Sequence, residues 1–147
     1  MRPHHTKNKG DLGVLHAKVD LAEKGYRLLL PLSEHEPFDL VAYRDDTFLR
    51  VQVRYRAAVN GLILVNFRTS WADRHGTHTL KLDKRAVDVF CVYCPDTRTC
   101  YYVDPRDGET GVTLRLNAPL NFQKKGVRWA KDFTEIPTTV RGVSRRA

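Results

Sequence analysis

Long apolar runs are missing from this sequence. The longest are strand-sized, such as Leu28-Leu29-Leu30, against the ~20 apolar residues that a membrane-spanning helix needs. No membrane partner is therefore expected. Cysteine is scarce and odd in number, three in all, which disfavours a disulfide scaffold and suits a reducing compartment. The opening residues, Met1-Arg2-Pro3-His4-His5-Thr6-Lys7, are polar and lead into no apolar core. A secretory signal is thus not expected, and a cytoplasmic location is. There is no internal repeat and no low-complexity tract. Acids are the minority charge: 17 Asp and Glu stand against 25 Lys and Arg, a net charge of +8.

What is present suits one packed unit. The chain has 147 residues, 41% hydrophobic and 10% aromatic, enough for a single core and against global disorder. Residues 1–137 are expected to form one domain. Residues 138–147 end in a basic stretch without periodicity, which reads as a loose tail. A small domain with this charge excess is predisposed to polyanions rather than to a small-molecule substrate.

Period-counting places the elements. Leu12, Leu15, Val19 and Ala22 recur at helical spacing, which predicts a helix over Asp11 to Lys24 with that stripe toward the core. Asp11 falls near its start and Gly25 at its stop. Strands are expected over 26–30, 39–43, 47–56, 62–67, 89–93, 99–103 and 112–116, with 89–93 apolar enough for a buried central strand. A polar loop is read from Arg68 to Thr79, a helical turn over 84–87 behind Asp83, and a short helix over 127–133. One helix and a mainly antiparallel run of strands make an α/β or α+β domain.

The hairpin around Asp45 and Asp46 carries the chemistry. A two-residue turn there pairs Arg44 with Thr47, so the numbers of each opposed pair sum to 91. Asp39 then falls opposite Gln52, with side chains on one face and Cβ atoms ~5 Å apart. Arg54 shares the face of Gln52 by strand period, at a diagonal of roughly 7–8 Å from Asp39. A carboxylate, an amide and a cation converge at one end of a hairpin. A carboxylate with neutral oxygen ligands suits a hard cation such as Mg²⁺. Such an ion polarises a phosphate and generates hydroxide, while a nearby side-chain cation stabilises developing charge.

These residues resemble a known family. Pro37-Phe38-Asp39 followed by Gln52-Val53-Arg54, behind the Lys9-Gly10-Asp11 helix start, is similar to the PD-(D/E)XK nuclease superfamily. More specifically it resembles the small homing endonucleases associated with group I introns. The segments Pro31–His35, Ser70–Thr79, Tyr93–Thr97 and Asn121–Val127 carry that closer likeness, which spans roughly Lys7 to Pro137. The resemblance implies a restriction-endonuclease-like mixed β-sheet core flanked by helices. It implies hydrolysis of phosphodiester bonds in double-stranded DNA with Mg²⁺ or Mn²⁺, by a homo-oligomer, a dimer or a tetramer. Asp39 would be the metal-binding aspartate and Gln52 would take the (D/E) position at the metal. Arg54 stands where the family keeps its catalytic lysine. The helix glutamate of many members would align near Val14, with Asp11 as a substitute ligand. Because Arg54 and Val14 depart from the pattern, a nucleic-acid binder of this fold without catalysis is a second reading. An enzyme like the Holliday-junction resolvases is a third.

Other residues are weighed against plainer roles. His75 and His78, with Arg74, read as a DNA-contacting loop rather than a zinc site, for which two further ligands are wanting. Cys91 and Cys94 differ by three, so one strand turns them to opposite faces, and they read as core. Arg56, Arg68, Lys124 and Lys125 are the remaining nucleic-acid contacts expected, the last two within Gln123-Lys124-Lys125-Gly126.

Overall fold

The computed structural model describes residues 5–81, 83–117 and 126–140. A helix, α1 (His5–Glu23), is followed by nine strands among these residues. They are β1 (Arg27–Leu29), β2 (Leu40–Arg44), β3 (Thr47–Tyr55), β4 (Leu62–Asn66), β5 (Arg68–Asp73), β6 (Gly76–Lys81), β7 (Val89–Cys94), β8 (Thr99–Val103) and β9 (Gly111–Arg115). Five of them form one mixed sheet in the order β1-β2-β3-β7-β8. Every neighbouring pair in it is antiparallel except β3 and β7, which run parallel. A parallel pair needs a crossover, and here the crossover contains β4, β5 and β6.

Central β7 is buried at all six positions, as befits a strand covered on both faces. On one face Val89, Cys91 and Tyr93 pack with Leu40, Ala42, Leu49, Val51 and Tyr102 beneath Ala17 and Leu21 of α1. On the other, Phe90, Val92 and Cys94 pack with Ile63, Val65, Phe67, Val112 and Leu114. This second layer is the β4–β9 ribbon rather than a second helix. Cys91 and Cys94 do divide between the two cores, and all three cysteines are free and buried.

α1 starts earlier than its periodicity predicts, at His5, so Asp11 lies in its second turn and no acid occupies the first. Its C-terminus follows the expected stop. Gly25 takes φ 88°, its N–H donates to the Ala22 carbonyl, and the Tyr26 N–H donates to that of Leu21. That double bond is the Schellman closure, with Tyr26 and Leu21 as its apolar contact.

The helix is turned away from the expected face. Leu12, Leu15, Val19 and Ala22 are exposed, while Gly13, Ala17 and Leu21 are buried. Small residues decide this. A Cβ on Gly13 would stand 3.5 Å from Val53 Cγ1 and 3.5 Å from Tyr55 Cβ, already at contact distance, so at that point β3 leaves no room for a longer side chain.

Other expectations meet the structure as follows. The polar segment from Arg68 is a ribbon, with Arg68 paired to Lys81 and Asp73 to Gly76. Arg68–Asp73 and Gly76–Lys81 do not alternate apolar with polar residues along the sequence, which hides them from a hydrophobicity count. The helix expected over 127–133 is a single 3₁₀ turn, Ala130–Phe133. At 84–87 the expected turn is there, closed by the Ala86 N–H on the Asp83 carbonyl, with the Arg85 N–H donating to Asp83 Oδ1. The packed part of the chain reaches Val140, 2% exposed. The rest of the expected tail, 141–147, lies outside the described residues.

Candidate active site

The β2–β3 hairpin positions the site. Asp45 and Asp46 both take positive φ, 54° and 59°. A two-residue turn of that type matches the twist of its strands and fixes their register. Arg44 pairs with Thr47, and the ladder continues to Leu40 with Val51, summing to 91 throughout. One step further the regular ladder ends. The Asp39 N–H donates to the Val51 carbonyl at 2.9 Å, and the Val53 N–H donates to Asp39 Oδ2 at 2.7 Å. The Asp39 carboxylate thus clasps β3 across from Gln52.

β3 then presents its side chains alternately. Val51 packs in the core beneath α1, with Val53 and Tyr55 partly buried against it. Gln52 and Arg54 therefore point to the opposite face, as strand period requires. The Arg54 guanidinium lies 5.6 Å from the centre of the Phe90 ring. Phe90 is opposite Gln52 on β7. Gln52 Oε1 and Arg54 Nε and Nη2 are buried without a hydrogen-bond partner among the described residues. A buried polar group left so is expensive, and here two such residues are neighbours on one strand face. Oε1 is an acceptor suited to a cation; Nε and Nη2 are donors suited to an anion.

Electrostatics agree with that division. Asp39 keeps part of its surface in solvent, yet burial of its carboxyl group raises its pKa. The Val53 N–H and the charge of Arg54 pull in the other direction. Burial lowers the Arg54 pKa, and repulsion from Arg56 adds to this, with Asp39 opposing both. Arginine nevertheless stays protonated. Titratable groups displaced by burial beside a charged partner are concentrated at functional sites.

The other expected residues divide. Arg56 follows β3 directly and anchors its backbone on the Tyr93 carbonyl at 2.9 Å. Arg68, Arg74 and His75 are exposed on the β5–β6 ribbon, the last two in its turn. His78 Nε2 lies 3.1 Å from Asp73 Oδ1, the same oxygen that takes the His75 N–H at 2.7 Å. Lys124 and Lys125 lie outside the described residues. Asp11 is exposed on α1, which packs against the other face of β3, and Val14 belongs to that same helix. No group of three or more His, Cys, Asp or Glu side chains gathers at metal-binding distance among the described residues. The donor set brought together is one carboxylate and one amide. Sequence reasoning missed Phe90 and the Val53 amide. No signal in the chain foretells the first, because it depends on β7 lying parallel to β3.

Comparison with known proteins follows the same line. The family model described as PD-(D/E)XK endonuclease matches residues 4–136. Among solved structures, a bacterial homing endonuclease, I-Ssp6803I, superposes with a TM-score of 0.68 at 22% identity, covering 82% of this chain and 84% of that one. No curated protein matches in sequence.

Proposed function

Since this chain belongs to the PD-(D/E)XK endonuclease family, we propose that it is a homing-type endonuclease. It hydrolyses phosphodiester bonds in double-stranded DNA with Mg²⁺ or Mn²⁺. The observation that carries this reading is the trio of buried, unpartnered atoms, Gln52 Oε1 and Arg54 Nε and Nη2, beside the Asp39 carboxylate.

The residues fit a hard divalent cation. Asp39 and Gln52 Oε1 would hold it, with water completing its shell. When bound, the ion supplies Lewis-acid polarisation and a water acidic enough to attack near neutral pH. Arg54 receives the scissile phosphate through its two free donors, a bidentate contact that a planar guanidinium makes well. It stabilises the charge that develops on the phosphate. Being permanently protonated, it takes no part in proton transfer. Phe90 behind the guanidinium holds it by cation–π attraction. The Val53 N–H fixes the Asp39 carboxylate at the hairpin end.

The DNA face is built from the crossover. A two-stranded ribbon has the width to enter a major groove, and β5–β6 presents Arg68, Arg74 and His75. Arg56 and the net charge of +8 add phosphate attraction. A second reading, binding without cutting, draws on one observation, a buried arginine at the lysine position.

Cleavage of a plasmid carrying the intron-insertion region of the source genome, with Mg²⁺ or Mn²⁺, tests both readings. Cutting by the natural chain that disappears in Asp39→Ala supports the nuclease. Cutting that survives in Asp39→Ala refutes the site. No cutting by the natural chain, with cutting by Arg54→Lys, favours the binder. Faster cutting of a four-way junction than of linear duplex would move the substrate toward the resolvases.

A further inference from the structure

A cavity of about 230 Å³ opens one step along the sheet from the candidate active site. Arg50 precedes Gln52 by two residues on β3, and Asp88 precedes Phe90 by two at the start of β7. Strand period therefore sets Arg50 on the face that carries Gln52 and Arg54, roughly 7 Å from Gln52 along the strand. The segment after β8 brings Asp104 and Arg106 to the same cavity, and the turn before β7 brings Lys84 and Arg85.

Two arginines in the cavity wall are held in the same way. Asp88 accepts from Arg50 Nε at 3.0 Å and from its Nη2 at 3.1 Å. Asp104 accepts from Arg106 Nε at 3.1 Å and from its Nη2 at 2.9 Å, and that Nη2 also meets the Thr139 carbonyl. Both carboxylates are fixed in turn. Asp88 takes the Arg50 backbone N–H at 2.7 Å, and buried Asp104 takes that of Arg106 at 2.9 Å. Each guanidinium is thus held along one edge, and its Nη1 makes no hydrogen bond among the described residues. An exposed ion pair adds little stability by itself. An arginine already oriented by a carboxylate, however, offers its remaining donors to a ligand at a reduced cost in entropy. Lys84 is positioned too, with Nζ on the Gly108 carbonyl and 5.7 Å from the centre of the Phe67 ring. An ammonium has three donors, so two remain.

The charges leave room for an anion. Four cations and two acids line the cavity. Outside it Asp83 pairs with exposed Arg85, and Asp107 lies within reach of Arg128 as well as Arg106. With these included, five cations stand against four acids. The volume is below that of pockets for drug-sized ligands and suits one tetrahedral anion with water around it.

We propose that this cavity is a second phosphate site, and that it takes a phosphodiester of the same DNA strand whose scissile phosphate meets Arg54. Arg50 and Arg106 donate to its oxygens through Nη1, and Lys84 and Arg85 add charge. Contacts of this kind fix a strand in register without reading its sequence. DNA as the source of the phosphate rests on the nuclease reading; the affinity of the cavity for phosphate does not.

Two assays on the full chain, both without divalent metal, test it. The first is thermal unfolding in inorganic phosphate against chloride at equal ionic strength. Phosphate also stabilises proteins by exclusion from their surface, so the quantity read is the difference between the natural chain and Arg50→Gln. The natural chain should show a saturable rise in Tm with a midpoint in the millimolar range, which Arg50→Gln lacks. The second is binding to a duplex carrying the intron-insertion region. Arg50→Gln should bind about ten-fold more weakly and lower the slope of log affinity against log salt by about one. A neutral methylphosphonate moved along the duplex should weaken the natural chain at one position where Arg50→Gln is indifferent. Lys84→Gln, which leaves both carboxylate-held arginines in place, repeats both assays should Arg50→Gln fail to fold. The same Tm response in natural chain and variants would overturn the site. A phosphate-specific rise with equal DNA affinity and slope in natural chain and variants, or with no DNA bound by any, would overturn its assignment to DNA. A chain that binds DNA through this cavity and cuts nothing when Mg²⁺ is added would support this site while refuting the nuclease reading.

Discussion

Replacing Asp39 separates its two roles. Its Oδ2 accepts the Val53 N–H at 2.7 Å, and its charge is the one carboxylate of the proposed metal set. Asp39→Asn keeps an oxygen for the Val53 amide and removes the charge; Asp39→Ala removes both. In the folded chain burial raises the Asp39 pKa above its ordinary value. Folding therefore disfavours the charged form. No cost is felt below the unfolded pKa, and the cost appears as pH rises through the folded one. At neutral pH Asp39→Asn is accordingly expected to leave the metal-free fold as stable as the natural chain, or more so. Asp39→Ala strands an amide at a partly solvated strand edge, worth about 1 kcal/mol at the low end of such losses. For a domain of this size that lowers Tm by roughly 2–4 °C. Under the proposed metal role both variants are expected to lose cleavage, on the order of 10²–10³-fold, because several kcal/mol of metal-borne transition-state stabilisation would go with the ligand. The natural enzyme should gain activity as pH rises through the raised Asp39 pKa, since only the carboxylate binds a cation. Thermal melts with and without Mn²⁺, paired with cleavage rates between pH 4 and 8, decide the matter. Equal destabilisation by both variants would refute the clasp, and retained cleavage in either would refute the metal role.

The buried, unpartnered atoms make a second prediction. Gln52→Leu and Arg54→Met should each hold or raise Tm while abolishing cleavage, and Arg54→Met should reduce the slope of log affinity against log salt for DNA by about one; a Tm loss of several degrees in either would mean that these atoms have partners in the fold. Beneath α1, the Tyr102 hydroxyl donates to Asp20, which also takes Lys24 Nζ at 2.9 Å. Tyr102→Phe should cost about 1–3 kcal/mol and leave the cleavage rate per folded molecule unchanged, as read by denaturant melts and by activity normalised to folded protein. Gly111 lies so close to β4 that an added Cβ would stand 2.3 Å from the Val65 carbonyl oxygen. Gly111→Ala is expected to cost about 1–3 kcal/mol through forced ribbon displacement, with hydrogen exchange rising first in β4 and β9.

Local chemistry is legible in the chain wherever neighbours in sequence are neighbours in space. The Gly25 stop and the two-residue turn at Asp45 and Asp46 act over a few residues, so the register of β2 and β3 can be counted from the residue order alone. The apolar density of 89–93 likewise marks a strand covered on both faces. Counting fails where packing or long-range pairing decides. The leucine stripe of α1 meets the rule for a core face, yet Gly13 and Ala17 permit a closer approach to β3 and take that place. The β5–β6 ribbon has polar strands and is held by its own ladder, so no hydrophobic pattern announces it.

The sequence by itself determined the class of the domain, its excess of positive charge and the alignment of Asp39, Gln52 and Arg54 on one hairpin. Turn chemistry and strand period act locally and suffice for these. Only the tertiary structure decided that β7 lies parallel to β3. That pairing sets Phe90 behind Arg54 and leaves its Nε and Nη2 buried without a hydrogen-bond partner among the described residues. It also decided which face of α1 meets the sheet, because close packing depends on the shapes of both surfaces and one strand of letters describes only one of them.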